Sequence, residues 1–257
     1  NELEKARFSA EKERSIGLGA MGFHAYLQRH NIPFESAMAK GRNMGMFWHI
    51  KSGAEVASEN LALERGEAPD AQGTGMRNCH LLAIAPNASS SIICGNTSPS
   101  IEPYRANAYA QKTKSGTSLQ KNEYLEDLLR ELGMDNEEVW KSIVTNGGSV
   151  AHLEFLDDWT KDVFKTAVEI DQRWVIDMAA DRQKHICQSQ SLNVFFPADV
   201  SKMELHAVHM SAWKKKVKTL YYLRSEAYKR TEKVSDEALR QRIFDSMDEN
   251  ECLACEG

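Results

Sequence analysis

Little in this sequence marks a secreted, membrane-embedded or nucleic-acid-binding chain. Cysteine is scarce, with five in 257 residues. Cys79, Cys94 and Cys187 are scattered, which excludes the dense disulfide framework of a small secreted domain. No window approaches the run of about 18 apolar residues that a membrane helix needs. The opening residues, with Glu2, Glu4, Lys5 and Arg7, do not resemble a secretory leader. Nor is there a field of one sign: 37 acidic and 32 basic side chains are interspersed, for a formal charge of -5. Neither nucleic acid nor anionic lipid is therefore an expected partner. The expected location is cytoplasmic. An apolar content of 42% suffices for one substantial core or two modest ones. The chain begins at Asn1 rather than Met, and the charged run that follows suggests a start in mid-protein.

Hydrophobic periodicity predicts a helix over 10–30 and a longer one over 36–65. In the latter, Met44, Trp48, Lys51, Glu55, Ser58 and Ala62 mark one side and Phe47, Ala54 and Leu61 another, and Gly66 ends it. Residues 67–78 read as a loop. Leu81-Leu82-Ala83-Ile84-Ala85, closed by Pro86, has the continuous apolar character of a strand buried on both faces. An irregular segment is expected over 94–118, then short helices near 123–133 and 136–146. A helical region follows over 154–184, with a break near Thr166. A second strand is expected over 192–196 and a third over 217–223. Ser201 and Glu204 form a capping box for the helix between them. Strand, helix and strand at this spacing make a crossover unit, hence parallel pairing in an α/β architecture. From residue 225 onward charged residues dominate and apolar ones are isolated, the composition of a flexible tail. The expected division is 1–224 and 225–257.

Four motifs invite chemistry. Gly17-Leu18-Gly19-Ala20-Met21-Gly22 has the spacing of a dinucleotide fingerprint but follows charged residues instead of a buried strand. It reads as small residues that let a helix pack closely. Pro86-Asn87-Ala88-Ser89-Ser90-Ser91 lies where a strand hands over to a helix, and unpaired N–H groups there suit a phosphate. Taken alone it is also an ordinary helix cap, which the frequency of serine at caps favours. Cys252-Leu253-Ala254-Cys255 has no second ligand pair for zinc, and His206 and His209 read as surface residues of a helix. A redox dithiol on a mobile arm is the better reading, and no metal is expected. Tyr221-Tyr222 would, on a regular strand, point to opposite faces and merely pack.

The order and setting of these motifs resemble the large, substrate-binding subunit of class I ribonucleotide reductase over nearly the whole chain. Residues 14–23 are similar to the family's helix beyond the active-site cysteine. Arg77-Asn78 and residues 86–91 look like its substrate-phosphate loop, and Ile101-Glu102-Pro103 follows as it does in the family. Lys218-Thr219-Leu220-Tyr221-Tyr222-Leu223-Arg224 looks like the segment with a stacked tyrosine pair, and residues 251–257 look like its redox tail. The resemblance implies the second half of a ten-stranded α/β barrel with a flexible carboxy-terminal tail. It also implies reduction of ribonucleoside diphosphates by radical chemistry. Tyr221 and Tyr222 would transfer the radical, Cys252 and Cys255 would form the tail dithiol, and Pro86, Asn87, Ala88, Ser89 and Ser90 would bind substrate.

No cofactor is expected to bind directly, because the radical comes from a metal-containing small subunit. The implied partners are that small subunit, the amino-terminal part of the large subunit, thioredoxin or glutaredoxin, and a second copy of the assembled large subunit. Two departures stand out. The acidic residue usual in the phosphate loop is here Ala88, and the N-x-C-x-E loop bearing the radical cysteine is not found in these residues. The radical cysteine is then expected on a companion polypeptide or on another part of a longer one. A cobalamin-dependent class II reductase is an alternative that the tyrosine pair argues against, and a non-catalytic scaffold is another.

Overall fold

The computed structural model describes residues 3–113 and 116–225. Helix α1 (Glu4–Glu13) buries none of its side chains and ends where Arg14 adopts a left-handed φ of 49°. The single helix expected over 10–30 does not form. Residues 14–22 are extended, and helix resumes only at α2 (Phe23–Arg29). The cause is a ladder that the glycines permit. Leu18 N–H donates to Leu81 O at 2.8 Å, and Ala83 N–H donates to Leu18 O at 3.1 Å. A Cβ on Gly19 would stand 2.8 Å from the Ala83 carbonyl oxygen. Close approach is thus what the glycines supply, as expected, but an extended segment uses it and not a helix.

Helix α3 (Ala37–Arg65) matches its expected span. The Ser36 hydroxyl accepts from Ala39 N–H at 3.0 Å at its start, and Gly66, with φ 78°, follows its end. Neither expected side alone faces the core: Phe47 is buried from one and Ser58 and Ala62 from the other, while Met44 and Trp48 are exposed. A 3-10 turn (Pro69–Ala71) leads to the apolar run 81–85. There Leu82 bridges Leu18 and Ile84 bridges Gln190, both in parallel. Leu81, Leu82 and Ile84 are buried, as a strand covered on both faces requires.

Helix α4 (Ala88–Ile93) comes next, followed by strands β1 (Ala108–Thr113) and β2 (Gly116–Lys121), an antiparallel hairpin in the segment expected to be irregular. Its sequence, Ala-Tyr-Ala-Gln-Lys-Thr against Gly-Thr-Ser-Leu-Gln-Lys, has too few apolar residues to show a two-residue period, although Ala108 and Leu119 pack into a core. Helices α5 (Glu123–Glu131) and α6 (Glu137–Thr145) are as expected, with Asn122 and Asn136 as caps. The helical region over 154–184 breaks into α7 (Asp158–Val163) and α8 (Gln172–Gln183). At the break the Glu169 carboxylate accepts from both the N–H and the hydroxyl of Thr166, at 2.8 and 2.7 Å. Strand β3 (Val194–Phe196), helix α9 (Lys202–Lys214) and strand β4 (Leu223–Ser225) form the crossover, and β3 and β4 pair in parallel.

These extended segments form one parallel series running 16–18, 81–84, 189–196 and 221–225. Helices α2, α3, α8 and α9 pack against it in a first core that includes Phe23, Leu27, Phe47, Leu82, Val194 and Val208. Each such side chain contributes roughly 1.5–3 kcal/mol by leaving water. A second core, with Leu125, Leu129, Trp140 and Ile143, lies among β1, α5 and α6. Within the first core the fully buried Arg182 meets amides rather than a carboxylate. Its Nε donates to Gln190 Oε1 at 2.8 Å and its Nη1 to Asn43 Oδ1 at 2.7 Å, with the Phe47 ring 5.6 Å away. Burial lowers its pKa to about 9. Among the described residues no helix is long and apolar enough to cross a membrane.

The ladder makes a contrast that thermal denaturation can check. Gly19→Ala drives a methyl into the Ala83 carbonyl and is expected to destabilise by about 1–3 kcal/mol. Gly45→Ala, in α3 with open space around its Cβ, is expected to stabilise by roughly 0.5–1 kcal/mol.

Candidate functional site

The last extended segment does not pair regularly. In an unbroken parallel ladder one residue donates its N–H to one carbonyl of the neighbour and accepts at its own C=O from the residue two further on. Opposite Asn193 that work is divided. Tyr221 N–H donates to Leu192 O at 2.8 Å, whereas Val194 N–H donates to Tyr222 O at 3.0 Å. Two residues fill the place of one, which is a β-bulge, and a bulge cancels the alternation that would send adjacent side chains to opposite faces. The displaced Tyr222 N–H donates to Asn193 Oδ1 at 3.0 Å.

As a result the Tyr221 and Tyr222 rings lie 4.1 Å apart between centroids. Tyr221 donates its hydroxyl to that of Tyr222 at 3.3 Å. The planes make 53°, so the pair is tilted and not face to face. The hydrogen bond to Tyr222 raises the Tyr221 pKa, because it stabilises the protonated phenol. Both residues are about half exposed, at 52% and 50%. The guanidinium of Arg224 sits 4.9 Å from the centre of the Tyr222 ring.

Arg224 also lines a cleft of about 570 Å³, with Ala88, Ser91, Tyr104, Arg105 and Phe195. Asn87 caps α4 in a left-handed conformation, φ 52°, without using its side chain. Ser91 N–H bonds back to Asn87 O at 3.0 Å, and the amides of Ala88, Ser89 and Ser90, one step nearer the start, have no acceptor among the described residues. Free N–H groups near two guanidinium groups suit an anion. Beside the cleft, the buried Glu102 accepts from Asn193 Nδ2 at 2.6 Å. Burial pushes its carboxyl up to about 7, against the opposing effects of Arg224, the Asn193 hydrogen bond and Arg105.

The family model of the ribonucleotide reductase barrel domain matches residues 1–74 and 69–223. The chain belongs to the ribonucleotide reductase family. The ribonucleoside-diphosphate reductase large subunit of Invertebrate iridescent virus 6 is 52% identical over 237 residues, which are 91% of this chain and 25% of that protein. The putative large subunit of Frog virus 3 is 49% identical over 97% of this chain and 43% of its own length. Among solved structures, the alpha subunit of the Actinobacillus ureae class Id ribonucleotide reductase superposes with a TM-score of 0.82 at 42% identity, over 88% of this chain and 41% of that one. The chain thus spans less than half the length of these relatives. Its α/β architecture is that of the reductase barrel domain, as the resemblance implied.

Of the three groups of site residues that sequence singles out, the loop and the tyrosine pair lie among the described residues, and neither Tyr221 nor Tyr222 lines the cleft. Ala88 of the loop and Arg224, two residues beyond the tyrosine pair, line one cleft, while Ser89 and Ser90 are exposed. Cys252 and Cys255 lie outside the described residues. Of residues 17–22, expected on a reductase helix, none is helical: Leu18 joins the ladder, and Gly22, with φ 80°, turns the chain into α2. Sequence reasoning did not single out Arg105 or Asn193 and assigned no role to Glu102 or Arg224. Arg224 could have been found from its spacing to the tyrosines; nothing local marks Asn193.

Because the folded pKa of Glu102 is raised, the stability it contributes is fully present below the unfolded carboxylate range and is lost as pH rises through about 7. Isotope-edited infrared titration should find this carboxyl protonated at pH 6. Arg224→Met should move its titration further upward, because the cation that most opposes the shift is gone.

Proposed function

We propose that this chain contributes substrate-phosphate binding, radical relay and thiol exchange to a ribonucleoside-diphosphate reductase of class I, which converts ribonucleotides to deoxyribonucleotides. The observation that carries the reading is the tyrosine pair: two phenols in contact, hydroxyl to hydroxyl, on the strand whose Arg224 enters the cleft. A phenol can give up an electron and its O–H proton together, and a second phenol at hydrogen-bond distance can take the proton as the electron moves. The radical arrives from the metal-containing small subunit and passes through Tyr221 and Tyr222 to a cysteine on the remainder of the large subunit. That cysteine abstracts a hydrogen atom from the ribose. The ribose 2′-hydroxyl leaves as water, two active-site thiols supply two electrons and two protons and become a disulfide, the cysteine gives its hydrogen atom back to the sugar, and the Cys252/Cys255 dithiol reduces the disulfide. Thioredoxin or glutaredoxin then restores the tail.

The diphosphate is held by the amides of Ala88, Ser89 and Ser90 with Arg105 and Arg224. With Ala88 where the resemblance leads one to expect an acidic residue, binding leans on the Ser89 and Ser90 hydroxyls, these amides and the guanidinium groups. Residues 1–224 act as part of the barrel and 225–257 as the redox tail, in an assembly with a second copy of the large subunit in the cytoplasm.

In the reductase assembled from this chain, the remainder of the large subunit and a small subunit, Tyr221→Phe and Tyr222→Phe should each reduce turnover at least about a thousandfold while nucleotide affinity stays within about twofold. Turnover without any small subunit would refute class I. Cys252→Ser or Cys255→Ser should confine the enzyme to the product made by its prereduced active site, seen as a burst without steady state when thioredoxin is the reductant. Dithiothreitol should restore multiple turnovers.

A further inference from the structure

We propose that Asn193 is a positioning residue for the tyrosine pair: its side-chain amide, oriented by Glu102, holds the β-bulge that keeps both phenols on one side of the ladder. The inference deepens the radical-relay reading and rests on it.

A bulge leaves its extra residue outside the ladder, and the amide of that residue needs another acceptor. Tyr222 N–H finds one in Asn193 Oδ1, from a side chain only 2% exposed and directly opposite the bulge. Without it, the cheapest repair is for Tyr222 N–H to replace Tyr221 N–H on Leu192 O. The following bonds, beginning with Val194 N–H to Tyr222 O, are already in register for that exchange. The ladder would then be regular, and alternation would carry Tyr221 and Tyr222 to opposite faces. A single acceptor thus separates a touching pair of phenols from a divided one.

The acceptor must also point the right way. A side-chain amide can present oxygen or NH₂, and a flipped Asn193 would offer Tyr222 N–H a second donor. Glu102 decides the orientation. Ionised, its carboxylate only accepts, and protonated it still keeps a carbonyl oxygen that accepts, so Nδ2 faces it at 2.6 Å and Oδ1 faces Tyr222. Glu102 itself is buried and follows Pro99 in a turn, with its N–H bonded to Pro99 O at 3.0 Å. The chain from Glu102 through Asn193 to the Tyr222 amide therefore ties the bulge to the loop beside the substrate cleft.

The test uses the assembled reductase. Asn193→Leu keeps the volume and removes the acceptor. It should lower kcat at least about tenfold with KM for the ribonucleotide within about twofold. A ¹⁹F resonance from 3-fluorotyrosine at position 221 should shift toward that of the Tyr222→Phe protein as the two rings part. The double variant Asn193→Asp with Glu102→Gln reverses both ends of the hydrogen bond, so that the Gln amide donates and the Asp carboxylate still accepts from Tyr222 N–H. It should return kcat to within about threefold of the parent, whereas Asn193→Asp alone, which sets two carboxylates together, should not. Asn193→Leu at full kcat, or a folded double variant as slow as its parents, would overturn the inference. Should Asn193→Leu fail to fold, the comparison of Asn193→Asp with the double variant decides the matter alone. Tyr222→Phe, assayed beside them, keeps the two ideas apart. If it is inactive while Asn193→Leu is fast, only the positioning role falls; if it turns over normally, the relay falls and the positioning role with it.

Discussion

The parallel ladder from residues 16–18 to 221–225 is the constraint on which the rest of the molecule depends. Parallel strands cannot be joined by tight turns, so every step across it requires an excursion of chain, and those excursions are the helices. Their apolar sides have nowhere to go but onto the ladder. The glycines at 17 and 19 matter because the first step has no room for a side chain against Ala83. The third segment is fixed partly through side chains. Gln190, the bridge partner of Ile84, takes the Arg182 guanidinium on one end of its amide and gives the other to Ala179 O at 2.9 Å. A buried cation held by amides and aromatic faces links α3, α8 and the ladder. Removing either amide would leave a buried charge with unsatisfied donors, which is why such clusters tolerate little change.

Charge then organises what lies beside the ladder. Arg224 faces the Tyr222 ring, lines the cleft and opposes the upward shift of the Glu102 carboxyl. One cation therefore senses three groups, and an anion entering the cleft would weaken its hold on the other two. Glu102 is the group most responsive to that loss, because burial already holds its titration near neutrality. Tyr221, half exposed and governed mainly by its hydrogen bond to Tyr222, is less sensitive.

Much of this was legible in the residues, and the failures have physical reasons. Helix α3 has a capping serine and a terminal glycine, and the buried runs 81–85 and 192–196 are too apolar to be anything but covered strands. The crossover through α9 follows from the spacing of 192–196 to the strand expected over 217–223, although the paired strand begins only at Leu223. The segment 14–22 misled because amphipathic periodicity carries across it, while its real partner, residues 81–83, is some 65 positions away and leaves no mark in a local window. The β1–β2 hairpin was invisible because its apolar residues, Ala108 and Leu119 among them, are too few to show a period. The same limit applies at the site. The tyrosines announce themselves as an adjacent pair, but whether they touch depends on a bulge, and the bulge depends on an asparagine whose neighbours look like ordinary strand.

That dependence bears on why a relay would use adjacent residues at all. Electron transfer falls steeply with distance, and two phenols on separate elements would have their gap set by packing, which shifts as helices and strands breathe. On consecutive residues the covalent backbone fixes the gap, leaving only one discrete choice: the same face or opposite faces. A bulge makes that choice and a hydrogen bond keeps it. At a tilt of 53° the rings do not lie flat together, yet the two hydroxyls remain in hydrogen-bond contact. What the geometry secures is contact between hydroxyls, and for a step that moves a proton with its electron, that contact matters more than overlap of the ring faces.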